Sequence, residues 1–283
     1  MPHVAIVYKS HSQEAFKQAS LLNKWLLGRK LESNLIKAGS HLPEDDTPQG
    51  KMDPKTDLVV VLGGDGTMLG AVRNLVEEGL ENAPIVGVNL GGLGFLTALG
   101  PDELLPAMDR VLAGEYTAPP RLMLDARVER NGVALAQFTA LNDVVINKSA
   151  QAPIVELSIV VDKRPLTTFR ADGLIFCTPT GSTAYNLSAG GPICHPALDC
   201  IVVTPICSFA LSNRPVLLEP DLVLSITLDH RSLDTSLTCD GQVGLDLEPG
   251  DKIYIQRAKK AVRIIHSPFK DYFEILRTKL RWG

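Results

Sequence analysis

Three glycines within four positions, Gly63, Gly64 and Gly66, follow the apolar run Asp57–Leu62 and enclose one carboxylate, Asp65. No other stretch restricts the chain as strongly. The run DLVVVL is rich in β-branched residues and has the length of a buried strand. A helical pattern follows, with Thr67 as a good N-cap residue. Strand, glycine turn and helix in that order give a sharp bend whose backbone N–H groups face an anion. A carboxylate among phosphates is repelled. Asp65 makes chemical sense if it accepts a proton from a hydroxyl, or if it holds a metal that is itself phosphate-bound. A turn that merely links strand to helix is the plain reading of an isolated GGxG; the full string GGDGT is more specific.

A second glycine-rich turn, Asn89-Leu-Gly91-Gly92-Leu-Gly94-Phe-Leu96, ends the strand expected over 84–89. Two such turns at strand C-termini lie side by side in a doubly wound sheet, where ligands bind. Val4–Tyr8 reads as the first strand. Phe16, Ala19, Leu22, Leu26 and Leu27 mark a helix, another runs from the GGDGT turn to about Glu78, and a third covers Pro101–Ala113. Residues 39–56, polar and with three prolines, read as a surface loop, its acidic trio a less favoured active-site candidate.

Pro119-Pro120 breaks this pattern, and alternation replaces the helical period. Leu122–Arg130, Asn131-Gly132 and Val133–Ala140 form a hairpin signal. Short strands are expected over 144–147, 154–161, 174–177, 222–228, 253–257 and 261–265, and a final helix over 271–280. The expected fold is an α/β N-terminal Rossmann-like domain plus a C-terminal antiparallel β-sandwich domain. The boundaries are 1–118, with 267–283 packing back on it, and 119–266.

With 283 residues, 45% of them hydrophobic, the chain can build one large core or two ordinary ones. Net charge is −4, with no Lys/Arg run and no basic stripe with interleaved aromatics, which argues against a nucleic-acid partner. The start shows no basic segment followed by an apolar one, and the longest apolar run, near Ile201–Leu211, is too short and polar to span a bilayer. A soluble cytoplasmic protein with no membrane partner is expected. Five cysteines without a CxxC pair argue against a disulfide framework or structural zinc, and buried free thiols are the expectation.

Two further motifs carry chemistry. Asn142 offers an amide that can read an adenine edge, and Asp143 can accept from ribose hydroxyls; an Asx turn is the plain reading of the pair alone. Arg170-Ala-Asp172-Gly leads into a strand and then the hydroxyl-rich block Thr178–Pro192. Its small residues, neutral hydrogen-bonding groups and Tyr185 suit a dinucleotide. Arg170 pairs either with a pyrophosphate or with Asp172.

GGDGTML, NLGGLGFL, LNDVV, DGLIFCTPTGSTAYNLSAGGPI, LSNRPV and CDGQ, in that order, resemble the ATP-dependent NAD kinase family of bacterial type. The resemblance covers nearly the whole chain. It implies transfer of the ATP γ-phosphoryl to the 2′-hydroxyl of the adenosine ribose of NAD, giving NADP. It implies Asp65 as proton acceptor, with Asp65 and Gly66 at the NAD ribose and Asn142 and Asp143 at the adenosine. Arg170 and Asp172 would lie near the dinucleotide, reaching across a subunit boundary. Thr183, Ala184, Tyr185, Asn186, Leu187 and Ser188 would form the adenine and ribose loop, and Gln242 a further contact. Ser208 and Phe209 stand where members often carry a Pro-His pair. Homodimers or homotetramers are implied.

The expected phosphate cradle is the backbone of Gly63, Gly64, Gly66 and Thr67 with that of Gly91, Gly92 and Gly94. No GxxxxGK[ST] loop supplies a lysine, so ATP as co-substrate requires a divalent cation, Mg²⁺ in expectation, with no protein ligand assigned. The alternatives are a lipid or sugar kinase sharing the GGDGT loop and a non-catalytic NAD(P) sensor.

Overall fold

The computed structural model describes residues 2–39 and 50–282. The acidic trio of the 39–56 stretch lies outside the described residues. The chain forms two compact units, Met1–Pro120 with Ala261–Gly283, and Arg121–Lys260.

The first unit opens with β1 (His3–Tyr8), α1 (Gln13–Gly28), β2 (Glu32–Lys37), β3 (Thr56–Leu62), α2 (Asp65–Glu77), β4 (Ile85–Val88) and α3 (Leu104–Leu112). The strands pair in parallel in the order β2-β1-β3-β4. Val59–Leu62 are wholly buried, as a parallel strand covered on both faces requires. Leu58, Val60 and Leu62 join α1 and α3 residues in one core cluster. On α1 the buried residues are Ala15, Ala19, Leu22 and Leu26, while Phe16 and Leu27 are exposed. These two fall one position off the stripe that a 3.6-residue period turns inward. Helix α2 begins at Asp65 with Gly64 as N-cap, three residues earlier than a Thr67 cap implies.

After β5 (Pro120–Arg121), the second unit contains β6 (Leu124–Arg130), β7 (Val133–Ala140), β8 (Asp143–Lys148), β9 (Val155–Val161), β10 (Arg164–Ala171), β11 (Gly173–Cys177) and a one-turn helix α4 (Tyr185–Ser188). It continues with β12 (Ile201–Ile206), β13 (Val216–Leu218), β14 (Leu224–Leu228), β15 (Thr235–Cys239), β16 (Val243–Leu247) and β17 (Lys252–Arg257). They form two six-stranded antiparallel sheets, β10-β9-β14-β17-β6-β7 and β13-β12-β11-β8-β15-β16. Alternate residues of both sheets, such as Leu124, Leu157 and Ile255 from one and Ile146, Phe176 and Val203 from the other, share a single apolar cluster. The opposite face of the second sheet, with Val145, Ile175, Cys177 and Val202, is buried against Cys194 and Cys200. Strands β8, β11 and β12 are thus apolar on both sides, which fixes the ends that carry the site.

The chain re-enters the first unit at Ala261 rather than at 267. There β18 (Val262–Arg263) pairs with β5, and Ile265 N–H donates to Ile85 O at 2.8 Å, so the 261–265 strand is not part of the sandwich. Helix α5 (Tyr272–Leu280), capped by Asp271, buries Ile275 and Leu276.

Candidate active site

Asp65 occupies the first position of α2, and its carboxylate holds the second glycine turn. Oδ1 accepts from Leu96 N–H (3.1 Å), Thr97 N–H (3.0 Å) and Thr97 Oγ1 (2.8 Å); Oδ2 accepts from Phe95 N–H (2.9 Å). The pattern is one-sided. Three donors load Oδ1, while Oδ2 has capacity for another. Thr97 is wholly buried, and its hydroxyl also accepts from Asn89 Nδ2 at 2.8 Å. Asn89 Oδ1 takes Gly91 N–H at 2.9 Å, so the amide orientation is set and the Thr97 hydroxyl hydrogen must point at Asp65.

This packing revises the part the glycines play. A Cβ at Gly94 would stand 2.2 Å from Asp65 Oδ1 and 2.3 Å from Thr97 Oγ1. Gly94 is glycine because the carboxylate lies against it. The N–H groups of Gly63, Gly91 and Gly94 donate to Val88 O, Asn89 Oδ1 and Thr97 O. Those three N–H groups are therefore engaged within the turns, and at the start of α2 Met68 N–H donates back to Gly64 O at 3.1 Å.

A second cluster gathers within the β unit. Asn142 and Asp143 enter β8, and Asp143 pairs in register with Cys177 of β11. Asp143 is buried, and burial together with the neighbouring Asp240 charge pushes its carboxyl up to about 7. Thr178 N–H donates to Asn142 O at 2.9 Å, and a Cβ at Gly181 would lie 2.1 Å from that same oxygen. Asn142 Oδ1 is buried without a hydrogen-bond partner among the described residues. Gln242 closes the two-residue turn Asp240-Gly241 between β15 and β16, its N–H on Cys239 O at 3.0 Å.

The hydroxyl-rich block divides in two. Thr178 Oγ1 donates to Leu141 O (2.6 Å), and Ser182 Oγ donates to Pro179 O (2.7 Å) and accepts from Cys194 N–H (2.9 Å). Asn186 is wholly buried. Its Nδ2 donates to Ser182 O and Pro192 O, both at 3.0 Å, and its Oδ1 accepts from Thr204 Oγ1 at 2.6 Å. These side chains build the loop, although the sequence offers them to a ligand. Tyr185 and Ser188 are exposed, and Thr183, Ala184 and Leu187 partly so.

Family models for the ATP-NAD kinase N-terminal domain and the ATP-NAD kinase C-terminal domain match residues 4–116 and 141–267. The NAD kinase of Geotalea daltonii is 48% identical, covering 100% of this chain and 99% of the relative, and that of Syntrophotalea carbinolica is 46% identical with the same coverage. The chain belongs to the ATP-NAD kinase family. Its activity is ATP-dependent NAD kinase activity. A crystal structure of yeast NADH kinase complexed with NADH superposes with a TM-score of 0.85 at 25% identity, covering 100% of this chain and 88% of that one. An NAD kinase from Archaeoglobus fulgidus in complex with ATP has the same fold, with a TM-score of 0.75, 23% identity and coverage of 99% and 98%.

In this member of the ATP-NAD kinase family, Arg170 is not paired with Asp172 among the described residues. The Nε of Arg170 lies 3.2 Å from Glu156 Oε1, and its guanidinium sits 5.0 Å from the ring centroid of Phe209. Asp172 instead faces Lys148 Nζ at 3.6 Å. Of the cysteines, Cys177, Cys194, Cys200 and Cys239 are buried and Cys207 is exposed, and none is in a disulfide bond. Burial pushes the Cys200 thiol up to about 11, which suits an inert side chain. Residues to which the sequence reading gave no role are Asn89, Thr97 and Asp240. Only the hairpin dipeptide Asp240-Gly241 carried a local signal.

Proposed function

We propose that this chain transfers the γ-phosphoryl of ATP to the 2′-hydroxyl of the adenosine ribose of NAD, with Asp65 Oδ2 as the proton acceptor. The ribose oxygen attacks the γ-phosphorus, the bond to the ADP oxygen breaks, and the hydroxyl proton passes to Oδ2. The observation that carries this reading is the uneven loading of Asp65, three donors on Oδ1 and one on Oδ2. The phosphates rest on the first turn of α2. Asn142, Asp143 and the exposed Tyr185 hold the adenosine, and Gln242 makes a further contact with the dinucleotide. That a relative was solved with NADH supports the dinucleotide reading. Arg170 and Asp172 lie near the dinucleotide, reaching across a subunit boundary.

Among the described residues no group of three or more His, Cys, Asp or Glu side chains is placed to hold a metal ion. Mg²⁺ fits such a site as a passenger on triphosphate oxygens, since it keeps several waters and needs few protein ligands. Bound there it neutralises phosphate charge. The chain's own residues orient the hydroxyl and accept its proton.

No helix among the described residues is long and apolar enough to cross a membrane. Free thiols fit a reducing cytoplasm, and a homodimer or homotetramer is the expected assembly.

The test is Asp65→Asn assayed for NADP formation through a coupled dehydrogenase. Turnover should fall roughly 10²–10⁴-fold, the usual value of a positioned base, with NAD affinity largely kept. Near-normal kcat would remove the base assignment. Offering diacylglycerol in place of NAD separates the lipid-kinase alternative, and absence of any product would favour the sensor.

A further inference from the structure

The bend Leu141–Asp143 is held from two sides. The N–H groups of Leu141, Asn142 and Asp143 converge on the Asp240 carboxylate at 3.0, 2.7 and 3.2 Å. Asp240 N–H returns to Asp143 O at 2.9 Å. On the other side Thr178 takes the carbonyls of Leu141 and Asn142. Both backbone polar groups of Asn142 are therefore consumed, and its side chain has one direction left. Its Oδ1 stays buried and unmatched, a costly state that a ligand donor would relieve.

We propose that Asp240 is a positioning residue for adenosine recognition, its carboxylate holding the bend that aims Asn142 and Asp143. Asp240 itself touches no substrate. Its φ of +53° puts it in the left-handed region, in the tight turn that also carries Gln242, so one hairpin tip carries Gln242 and holds the bend of Asn142 and Asp143. Asp240 has a second effect through charge. The titratable groups facing Asp143 are Asp240 from the β15–β16 turn and Cys177 from β11, the latter a thiol that burial keeps neutral. A full charge at Asp240 holds the Asp143 proton on to higher pH.

The inference rests on Asn142 and Asp143 being adenosine contacts, and the experiment separates the two ideas. In Asp240→Asn the amide keeps one acceptor oxygen and tolerates the left-handed backbone. The KM for NAD should rise about tenfold, the factor that about 1.4 kcal/mol represents, with the KM for ATP and kcat within about twofold of wild type. Asp240→Ala should raise the NAD KM further. The pH at which NAD KM changes should move down in Asp240→Asn, which a purely structural defect would not produce. An unchanged NAD KM in both variants, or equal losses in kcat and both KM values, overturns the proposal. If Asp240→Ala does not fold, the pH displacement in Asp240→Asn decides. Asn142→Ala is the control. If it leaves the NAD KM unaltered, the adenosine reading fails; if it raises the NAD KM while Asp240→Asn does not, only the positioning role fails.

Discussion

The Thr97 hydroxyl donates to Asp65 Oδ1 at 2.8 Å while itself held by the Asn89 amide. The carboxylate named by the GGDGT string is thus oriented by a residue at the far end of a different turn. Oδ1 takes three donors and Oδ2 one, and in the proposed mechanism Oδ2 is the oxygen that receives the proton. Charge-assisted hydrogen bonds of this kind are about twice as strong as neutral ones, so removing one disturbs the position of Asp65 more than the overall fold.

Thr97→Val should keep the shape and lose the hydroxyl. Its kcat should fall about tenfold with both KM values near wild type, and Thr97→Ser should recover most of the rate. Steady-state kinetics on the three proteins check this, and a serine variant as slow as the valine one would discount the hydroxyl.

Gly94→Ala inserts a methyl where Asp65 Oδ1 lies, at 2.2 Å. The carboxylate must move or the turn must open. Overpacking of this kind costs about 1–3 kcal/mol, so a lower unfolding midpoint is expected together with at least a tenfold loss of turnover. Alanine at Gly92, where nothing lies within 4 Å of the added Cβ, is the companion variant. Its left-handed φ of +134° strains the backbone, but Asp65 should stay in place.

Asp143 makes stability depend on pH. The folded protein keeps its proton up to about pH 7, whereas the unfolded chain releases it near 3.8. Between these values the unfolded state binds fewer protons, so stability falls as pH rises through this window and levels off above it. Each pKa unit represents about 1.4 kcal/mol, which puts the ceiling at a few kcal/mol. Urea unfolding at pH 5 and pH 8 should show this loss in the wild type and a smaller one in Asp143→Asn. Equal slopes in the two proteins would contradict it.

Asn186→Ala should unfold at a temperature several degrees lower, because Thr204 Oγ1 and the carbonyls of Ser182 and Pro192 lose their partner in a buried place. Each unmatched group costs about 1–3 kcal/mol. Below that temperature the NAD KM should stay close to wild type. A normal midpoint with a raised NAD KM would instead make the side chain a ligand contact.

Local pattern was enough to read the strand before GGDGT, the Asn131-Gly132 hairpin and the helix capped by Asp271, because each depends on neighbours within a few residues. Strands β2, β5, β10, β12, β13, β15 and β16 escaped that reading. Most are short or mixed in polarity, and what makes them strands is pairing with distant partners.

The same division runs through the site. The residues alone name the chemistry present: one carboxylate in a glycine bend, an amide–acid pair and a hydroxyl-rich loop. What each group bonds to depends on the fold around it. Ser182 and Asn186 are absorbed into the loop, Arg170 turns to Glu156 and Phe209, and Thr97 and Asp240 orient groups 32 and 97–99 residues away in the chain. The physical reason is that a hydrogen bond's partner is set by where the backbone brings donors and acceptors together, and those distances are not written in any local stretch of residues.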